Sequence, residues 1–407
     1  MPLLLRLATR NVLRQRRRSL LTILSMAGGY LLCCLSFSLV NGSYGNIIRL
    51  FTEEQTGHVQ IHKDDYAKKP RIHKTIDDPD AVARVLQQYP DIRAFTPRVF
   101  APALAYANNK NTPVQVTGVD VISERVTSRL EKKLTQGQWL AETPDSDGYF
   151  SAIVGQGVAD TLNLALGDEL VLISQGADGS VANDIFIIGG FVGDKRSTDR
   201  LTVFLPLNAA QEFLTLEGRV HEFAILLADI ETARKAAADL QVSLPELKVA
   251  PWQEVMDTFY KSMEADRRGN QVTLGIILFI VFIGVLNTVL MSVLERTREF
   301  GVLKAIGSRP GMIVTLIVLE TGVLAALSIA LGLLLAVPAN IWFTYQGFAL
   351  PEPVDMGGVA VQYMRGELSL EVFLLPMAIL YGYAIVVSIP PGLRAARVPP
   401  IEAMRTY

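Results

Sequence analysis

The chain has 407 residues, more than one ordinary domain, and half of it is hydrophobic while only 19% is charged, an apolar balance for a water-soluble protein of this size. A formal net charge of −2 offers no basic field for nucleic acid, so no nucleic-acid partner is expected. The two cysteines, Cys33 and Cys34, are adjacent inside an apolar run and are poor material for a structural disulfide or a zinc site.

Residues 1–19 form a basic N-terminal segment carrying Arg6, Arg10, Arg14, Arg16, Arg17 and Arg18 and no acid. The apolar run 20–40 follows. It is too long for the h-region of a cleaved signal and no A-x-A site comes after it, so an uncleaved signal anchor is expected. A crossing helix needs about 20 apolar residues, and three further runs qualify: 272–294, 312–341 and 372–389. The third contains one carboxylate, Glu320, and a late Pro338; the fourth ends at Pro390-Pro391, which cannot continue a helix.

Between the first two runs, residues 41–271 read as an α+β domain. Residues 113–119 alternate around Val114 and Val116 as a half-buried strand, and 151–155, 169–174, 185–192, 201–205 and 222–227 are further strand candidates. Ala159, Leu162 and Leu166 fit a short amphipathic helix closed by Gly167-Asp168, and 231–242 fits another. From Trp252 onward, Val255, Phe259, Met263 and Asn270 recur at helical spacing, which suggests that the second span extends outward as a stalk; a surface helix of the domain is the alternative. No internal repeat is visible, so an inverted-repeat transporter plan has no support.

The fold class expected is therefore a membrane protein with four transmembrane α-helices and an α+β extracytoplasmic domain inserted between helices 1 and 2. Lys and Arg in short flanking segments set orientation. The 295–311 segment carries Arg296, Arg298, Lys304 and Arg309, and the 390–407 tail carries Arg394, Arg397 and Arg405, whereas the 342–371 loop has only Arg365. Both termini and 295–311 are expected in the cytoplasm, and 41–271 on the other side.

Catalytic and cofactor signatures are sparse. No G-x-x-x-x-G-K-[ST] occurs, so ATP binding through a P-loop of this chain's own is not expected. Gly155-Gln-Gly157 follows a strand, but Asp160 stands where a dinucleotide fingerprint needs its third glycine, and a tight turn is the better reading. His58 and His62 lie in an alternating, strand-like stretch with no evident third ligand, so no metal site is expected. No nucleophile motif appears. Glu320 is the ionisable residue well inside a span; burying such a charge costs on the order of 2.5–3.5 kcal/mol, which argues either for a hydrogen-bonded place near the interface or for a proton relay, and the former is favoured.

Residues 292–307 (Ser-Val-Leu-Glu-Arg-Thr-Arg-Glu-Phe-Gly-Val-Leu-Lys-Ala-Ile-Gly), followed by Glu320, resemble the "ERTREIGxxKAIG" signature of the MacB/FtsX-type (type VII) ABC transporter permeases and the glutamate of their third span. The start, Ala8-Thr-Arg-Asn11 with Arg18-Ser-Leu-Leu-Thr22, is similar to that family's basic entry into span one. The end, 395–405, is similar to its C-terminal "A-x-x-x-P-I-E-A-L-R", and 153–168 to part of its periplasmic core domain. The resemblance implies a non-catalytic permease subunit with no cofactor of its own, served by a separate ABC ATPase subunit because no fused nucleotide-binding domain is seen, and a second permease copy as homodimer or heterodimer. It implies a cell inner membrane location with membrane lipid around the spans, and a periplasmic carrier or adaptor protein as a further partner. Such permeases relay cytoplasmic ATP hydrolysis to their outer domains (mechanotransmission). The four-span plan also resembles the lipoprotein-releasing, Lol-like branch, and fits drug- and peptide-exporting relatives equally. ATPase coupling then falls to Glu295, Arg296, Arg298, Glu299, Gly301, Lys304 and Gly307, on a short charged helix broken by Gly307 to Gly311. The alternative function is a membrane-anchored regulator of extracytoplasmic cell-wall hydrolases.

Overall fold

The charge-free cores of the apolar runs lie inside helices longer than a bilayer requires. A computed structural model describes residues 2–14, 16–194, 197–356 and 359–399. Four of its helices are long and apolar enough to cross a membrane: α2 (Arg16–Phe51), α9 (Asp257–Glu295), α11 (Pro310–Tyr345) and α12 (Leu370–Arg397). The 36 residues of α2 rise about 54 Å, against roughly 30 Å of hydrocarbon. Its last turns, from Asn41 to Phe51, are polar enough to escape a hydropathy reading yet remain helical. Before it lies a separate helix, α1 (Pro2–Arg14), which the sequence suggested only as a basic segment.

Contact density divides the chain into two units. One comprises Met1–Asn46, Met263–Pro351 and Tyr363–Tyr407; the other comprises Ile47–Ser262 with Glu352–Gln362. In the first, Met26, Tyr30 and Cys34 of α2 meet a four-residue stripe of α9 (Val281, Val285, Val289, Val293) and buried residues of α11 and α12. Small residues allow the close approach expected of membrane helices: a side chain at Gly29 would strike Val281, and one at Gly332 would strike Tyr30. The Tyr30 hydroxyl donates to the Phe373 carbonyl at 3.1 Å. Between α9 and α11 sits a short helix, α10 (Thr297–Ala305).

The 342–371 segment, expected as a loop, contains strands β11 (Phe348–Met356) and β12 (Val359–Met364), which pair with each other. Two prolines within the first, Pro351 and Pro353, hide it from a propensity reading.

The inserted domain is α+β. In chain order it contains β1 (Val59–His62), α3 (Pro79–Gln87), β2 (Ile92–Ala107), β3 (Lys110–Val119), α4 (Ser123–Thr127), β4 (Leu134–Gly137), β5 (Phe150–Gly155) and α5 (Gln156–Leu162). There follow β6 (Glu169–Gln175), β7 (Val181–Val192), β8 (Thr202–Pro206), α6 (Leu207–Phe213), β9 (Glu222–Leu227), α7 (Ala233–Ser243), β10 (Lys248–Pro251) and α8 (Trp252–Val255). The pairings β2–β3–β8–β5–β7–β6–β2 close on themselves into a six-stranded ring. From it β2 also reaches outward through β9 and β1 to β10. The organising strand is thus β2, whose 16 residues serve three partners; Pro97 and Pro102 within it conceal it in the sequence.

Two local expectations need correction. Leu166 is outside α5, because Asn163 adopts the left-handed conformation (φ 55°) and ends the helix, leaving Leu166 exposed in the following turn. The helix expected from Trp252 onward is interrupted at Met256 (φ −108°, ψ 45°). That turn lets Trp252 stay buried while Met256 and Phe259 pack on Ile47 and Phe51. Gly155 and Gly157 do stand at a tight strand-to-helix turn. A Cβ on Gly155 would press into the Asp199 and Arg200 backbone, so the glycine is there for a close approach.

Candidate functional site

The last charge-free turn of α9 ends at Glu295, and Arg296 leaves helical geometry (φ −106°, ψ 13°) before α10 begins. At its other end α10 stops in a Schellman motif: Ser308 N–H donates to Leu303 O and Gly307 N–H to Lys304 O, both at 3.0 Å, with Gly307 at φ 98°. Arg309 then caps α11, whose first residue is Pro310. The break expected at Gly307 therefore has a defined geometry.

This short helix has two chemically different faces. Phe300 and Gly301 are buried, Lys304 is half-buried, and Arg298, Val302, Ala305 and Ile306 point away from the fold, Ile306 being 79% exposed. On the inner side, Arg296 Nη1 donates to both carboxylate oxygens of Glu320 at 2.9 Å and its Nε to Glu299 Oε2 at 2.8 Å. The guanidinium also lies 5.3 Å from the centre of the Phe300 ring. Burial works against the Arg296 charge, but Glu320 and Glu299 outweigh it and raise its pKa. Glu320, one charge inside an apolar helix, is thus met by a fixed cation from the adjoining segment.

A third element reaches the same place. Asn11 of α1 donates to Glu320, Arg14 pairs with Glu299 at 3.3 Å, and Arg18 at the start of α2 pairs with Glu295 at 3.0 Å and donates to the Thr288 carbonyl. A cavity of about 40 Å³ between Asn11, Arg18, Arg296 and Glu320 is large enough for ordered water. Lys304 Nζ donates to the carbonyls of Ala396 and Val398, both at 2.8 Å, which α12 leaves unsatisfied at its C-terminus.

Of the residues expected at the site, Arg296, Glu299 and Glu320 come together directly. Glu295 and Lys304 tie to neighbouring elements, and Gly301 packs inward. Arg298 faces away from this cluster, and Gly307 acts through the backbone. Sequence reasoning missed Asn11, Arg14 and Arg18 as partners. The available signal was helical spacing: Ala8 and Val12, both buried, put Asn11 on the packed face of α1. The final residues of the C-terminal motif, 400–405, lie outside the described residues.

Elsewhere, the histidines that invited a metal reading have protein partners. His58 Nδ1 accepts from Leu227 N–H at 3.0 Å, and His62 stacks on Tyr66, which stacks in turn on His221.

Four membrane helices, a charged helix tied into them and an α+β domain after the first define a multi-pass membrane permease with a periplasmic core domain. Residues 19–242 match the MacB-like periplasmic core domain family, and residues 272–400 match the FtsX-like permease C-terminal family. The chain belongs to the MacB/FtsX-type ABC transporter permeases. It is similar to the lipoprotein-releasing system transmembrane protein LolE of Haemophilus influenzae, 22% identical over 86% of this chain and 85% of that protein. Similarity to LolC of Neisseria meningitidis serogroup B is 22% over 97% of both chains. Against the macrolide export ATP-binding/permease protein MacB of Sodalis glossinidius the identity is 26% over 98% of this chain, which spans 60% of that relative's length. Among solved structures, the periplasmic region of MacB from Actinobacillus actinomycetemcomitans aligns with 49% of this chain and 90% of its own, at 15% identity and a TM-score of 0.36.

Proposed function

We propose that this chain is the permease subunit of an ABC complex that relays ATP hydrolysis by a separate ATPase to its extracytoplasmic domain, to extract or export lipoproteins, amphiphiles or peptides. The observation that carries this reading is the division of α10 into a tied inner face and an outer one exposed among the described residues. Arg298, Val302 and Ile306 recur at four-residue spacing and form a mixed basic and apolar stripe that suits a groove on a partner protein. A stripe left exposed by the described residues can receive a push, and the contacts of Arg296 and Lys304 can pass it to α11 and α12.

The same reading puts the chain in the cell inner membrane with both termini and α10 in the cytoplasm, in agreement with the arginine distribution. The gathering of α1, α10 and the end of α12 at one end of the bundle supports a shared side. A second permease copy completes the assembly, and relatives that match along most of their length are named for lipoprotein release, which favours lipid-modified cargo. The test is copurification with the cognate ATPase after Arg298→Glu and Ile306→Asp. Both substitutions should reduce recovery of the ATPase at least tenfold without altering the amount of folded permease. Undiminished recovery in the double variant would remove α10 as the docking element.

A further inference from the structure

In the inserted domain, one face of the strands β1, β9, β2, β3 and β8 carries a row of side chains unlike an ordinary core. Register sets His62 opposite Glu222, Glu222 opposite Arg98 and Arg98 opposite Val119, with Phe100, Thr117 and Phe204 in line one step along. All of these except His62 border a cleft of about 290 Å³, which Glu124 of α4, Leu130 and Asp199 also line. That is near the lower end of small-ligand sites. Its charged lining is buried: Arg98 and Glu222 are 5% exposed, Glu124 2%.

Among the described residues the charges in the cleft are unbalanced. Arg98 forms a two-point pair with Glu124, Nε to Oε2 at 3.0 Å and Nη2 to Oε1 at 2.7 Å. Glu222 lies farther from the same guanidinium, at 3.6 Å, and its other contacts are neutral: Gln60 Nε2 donates to it at 3.3 Å, and His62 Nε2 is 4.0 Å away. Asp199 has its own cation in Lys133 at 2.8 Å. Among the described residues, then, this guanidinium faces two carboxylates, and the second is satisfied only weakly. A buried carboxylate in that position costs several kcal/mol unless it takes a proton or a further cation. Burial, only partly offset by Arg98, pushes the Glu222 carboxyl up to about 7. Beside this acid, Phe100, Phe204, Val119 and Leu130 supply apolar wall.

We propose that the cleft is a binding site for a primary ammonium carried on a short apolar body, with the ammonium at Glu222 and the apolar part against Phe100 and Phe204. The occupant is a small amine or the amine-bearing end of a larger molecule, and binding stands independently of whether the chain transports anything. The ligand supplies the cation that Arg98, committed to Glu124, cannot. Lined by hydroxyls and amides besides, the cleft offers acceptors for the remaining ammonium hydrogens.

The test uses the full chain in lipid nanodiscs at pH 7.5, titrated calorimetrically with 4-phenylbutylamine and with 4-phenylbutan-1-ol, its neutral counterpart of the same size. The amine should bind saturably and about tenfold or more tighter than the alcohol, the scale of one added charge-assisted contact. Glu222→Gln should bring the amine down to the alcohol's affinity. Thr117→Phe, which fills the floor of the cleft and leaves every charge in place, should abolish saturable binding of both. Thermal unfolding of each variant reports whether it is folded; if Glu222→Gln is not, the amine-to-alcohol ratio and Thr117→Phe decide alone. Equal affinity for the two compounds, amine binding that survives Thr117→Phe, or amine binding indifferent to Glu222→Gln in a folded protein would each overturn the proposal. So would uptake that never saturates, which is partition into lipid.

Discussion

Arg296→Gln should be among the most damaging single substitutions in the membrane unit, because it leaves Glu320 in an apolar helix without its cation. The two side chains are 13% and 12% exposed, so the pair is largely but not wholly buried. Breaking a buried pair by removing one partner costs 3–5 kcal/mol, and residual exposure with the Asn11 amide still on Glu320 points to the lower end, about 3 kcal/mol. Glu320→Gln should cost less, about 1–2 kcal/mol, since Arg296 keeps Glu299 at 2.8 Å. The double variant buries neither orphan charge and should fall well short of the sum, giving a coupling of about 2 kcal/mol. Arg298→Gln, on the exposed face, is the control and should stay within about 0.5 kcal/mol. Unfolding of the reconstituted protein by detergent titration, followed by tryptophan fluorescence, supplies the four values. Additive effects in the cycle, or a loss below about 1 kcal/mol for Arg296→Gln, would refute the electrostatic account of Glu320.

Four other expectations follow, three of them from single positions. Gly155→Ala should destabilise the inserted domain by about 2 kcal/mol or more, because its Cβ meets the Asp199 backbone; unchanged hydrogen exchange in β5 and β8 would contradict this. Glu222, with its folded pKa raised to about 7 from 4.5, withdraws stability as pH rises from 4.5 to 7, by about 3 kcal/mol in all, so Glu222→Gln should gain on the parent across that window in β9 exchange; a flat difference would refute it. His62 acts in the opposite sense: burial lowers it to about 4, and the domain should lose stability as pH falls from 6.5 toward 4, a slope that His62→Gln should flatten in the same exchange measurement. Single cysteines at the exposed positions Ile306 and Val242, in a background without Cys33 and Cys34, should react with an impermeant reagent from opposite sides of the membrane, and labelling of both from one side would end the proposed topology.

Much of the architecture was legible because the bilayer imposes a simple rule. Apolar runs of about 20 residues mark the spans, and arginine marks their flanks. Hydropathy reports the solvent, however, and not the helix, which is why the polar end of α2 and the whole of α1 went unread as helix, whereas the outward end of α9 was legible only through its helical spacing. In the inserted domain the alternating strands β3, β5 and β9 were visible. The longest strand, β2, was not, since two prolines break its pattern and two of its three partners, β6 and β9, are distant in the chain. The site shows the same division. A run of charged residues after a span points to a functional segment, and the glycine-proline break gives its end. Which charges turn inward depends on where α1 and α11 lie, and a linear motif cannot state that. Arg296 and Arg298, two residues apart in one signature, accordingly face different surroundings.

That difference also decides how α10 could carry force in the proposed relay. Neither covalent end of α10 is stiff. Arg296 departs from helical geometry before it, and Gly307, at φ 98°, follows it with no side chain to restrict rotation. A push on Ile306 delivered through those two joints alone would swing α10 and spend itself there. Stiffness must come from side chains, and the inner face supplies them in three directions: Arg296 to Glu320 on α11, Lys304 to the last carbonyls of α12, and Glu299 and Glu295 to Arg14 and Arg18. The ties are unequal. The Arg14 pair is exposed and worth a few tenths of a kcal/mol at most, whereas the Arg296 and Lys304 contacts are sheltered and join charge to charge or charge to unsatisfied carbonyl. Motion of α10 is therefore passed chiefly to α11 and α12, and the N-terminal helix acts through Asn11, whose amide shares Glu320 with Arg296, more than through its arginines. On this view the intramembrane carboxylate is a junction: it holds the N-terminal helix, the coupling helix and the third span to one point, and its charge is the reason all three converge there.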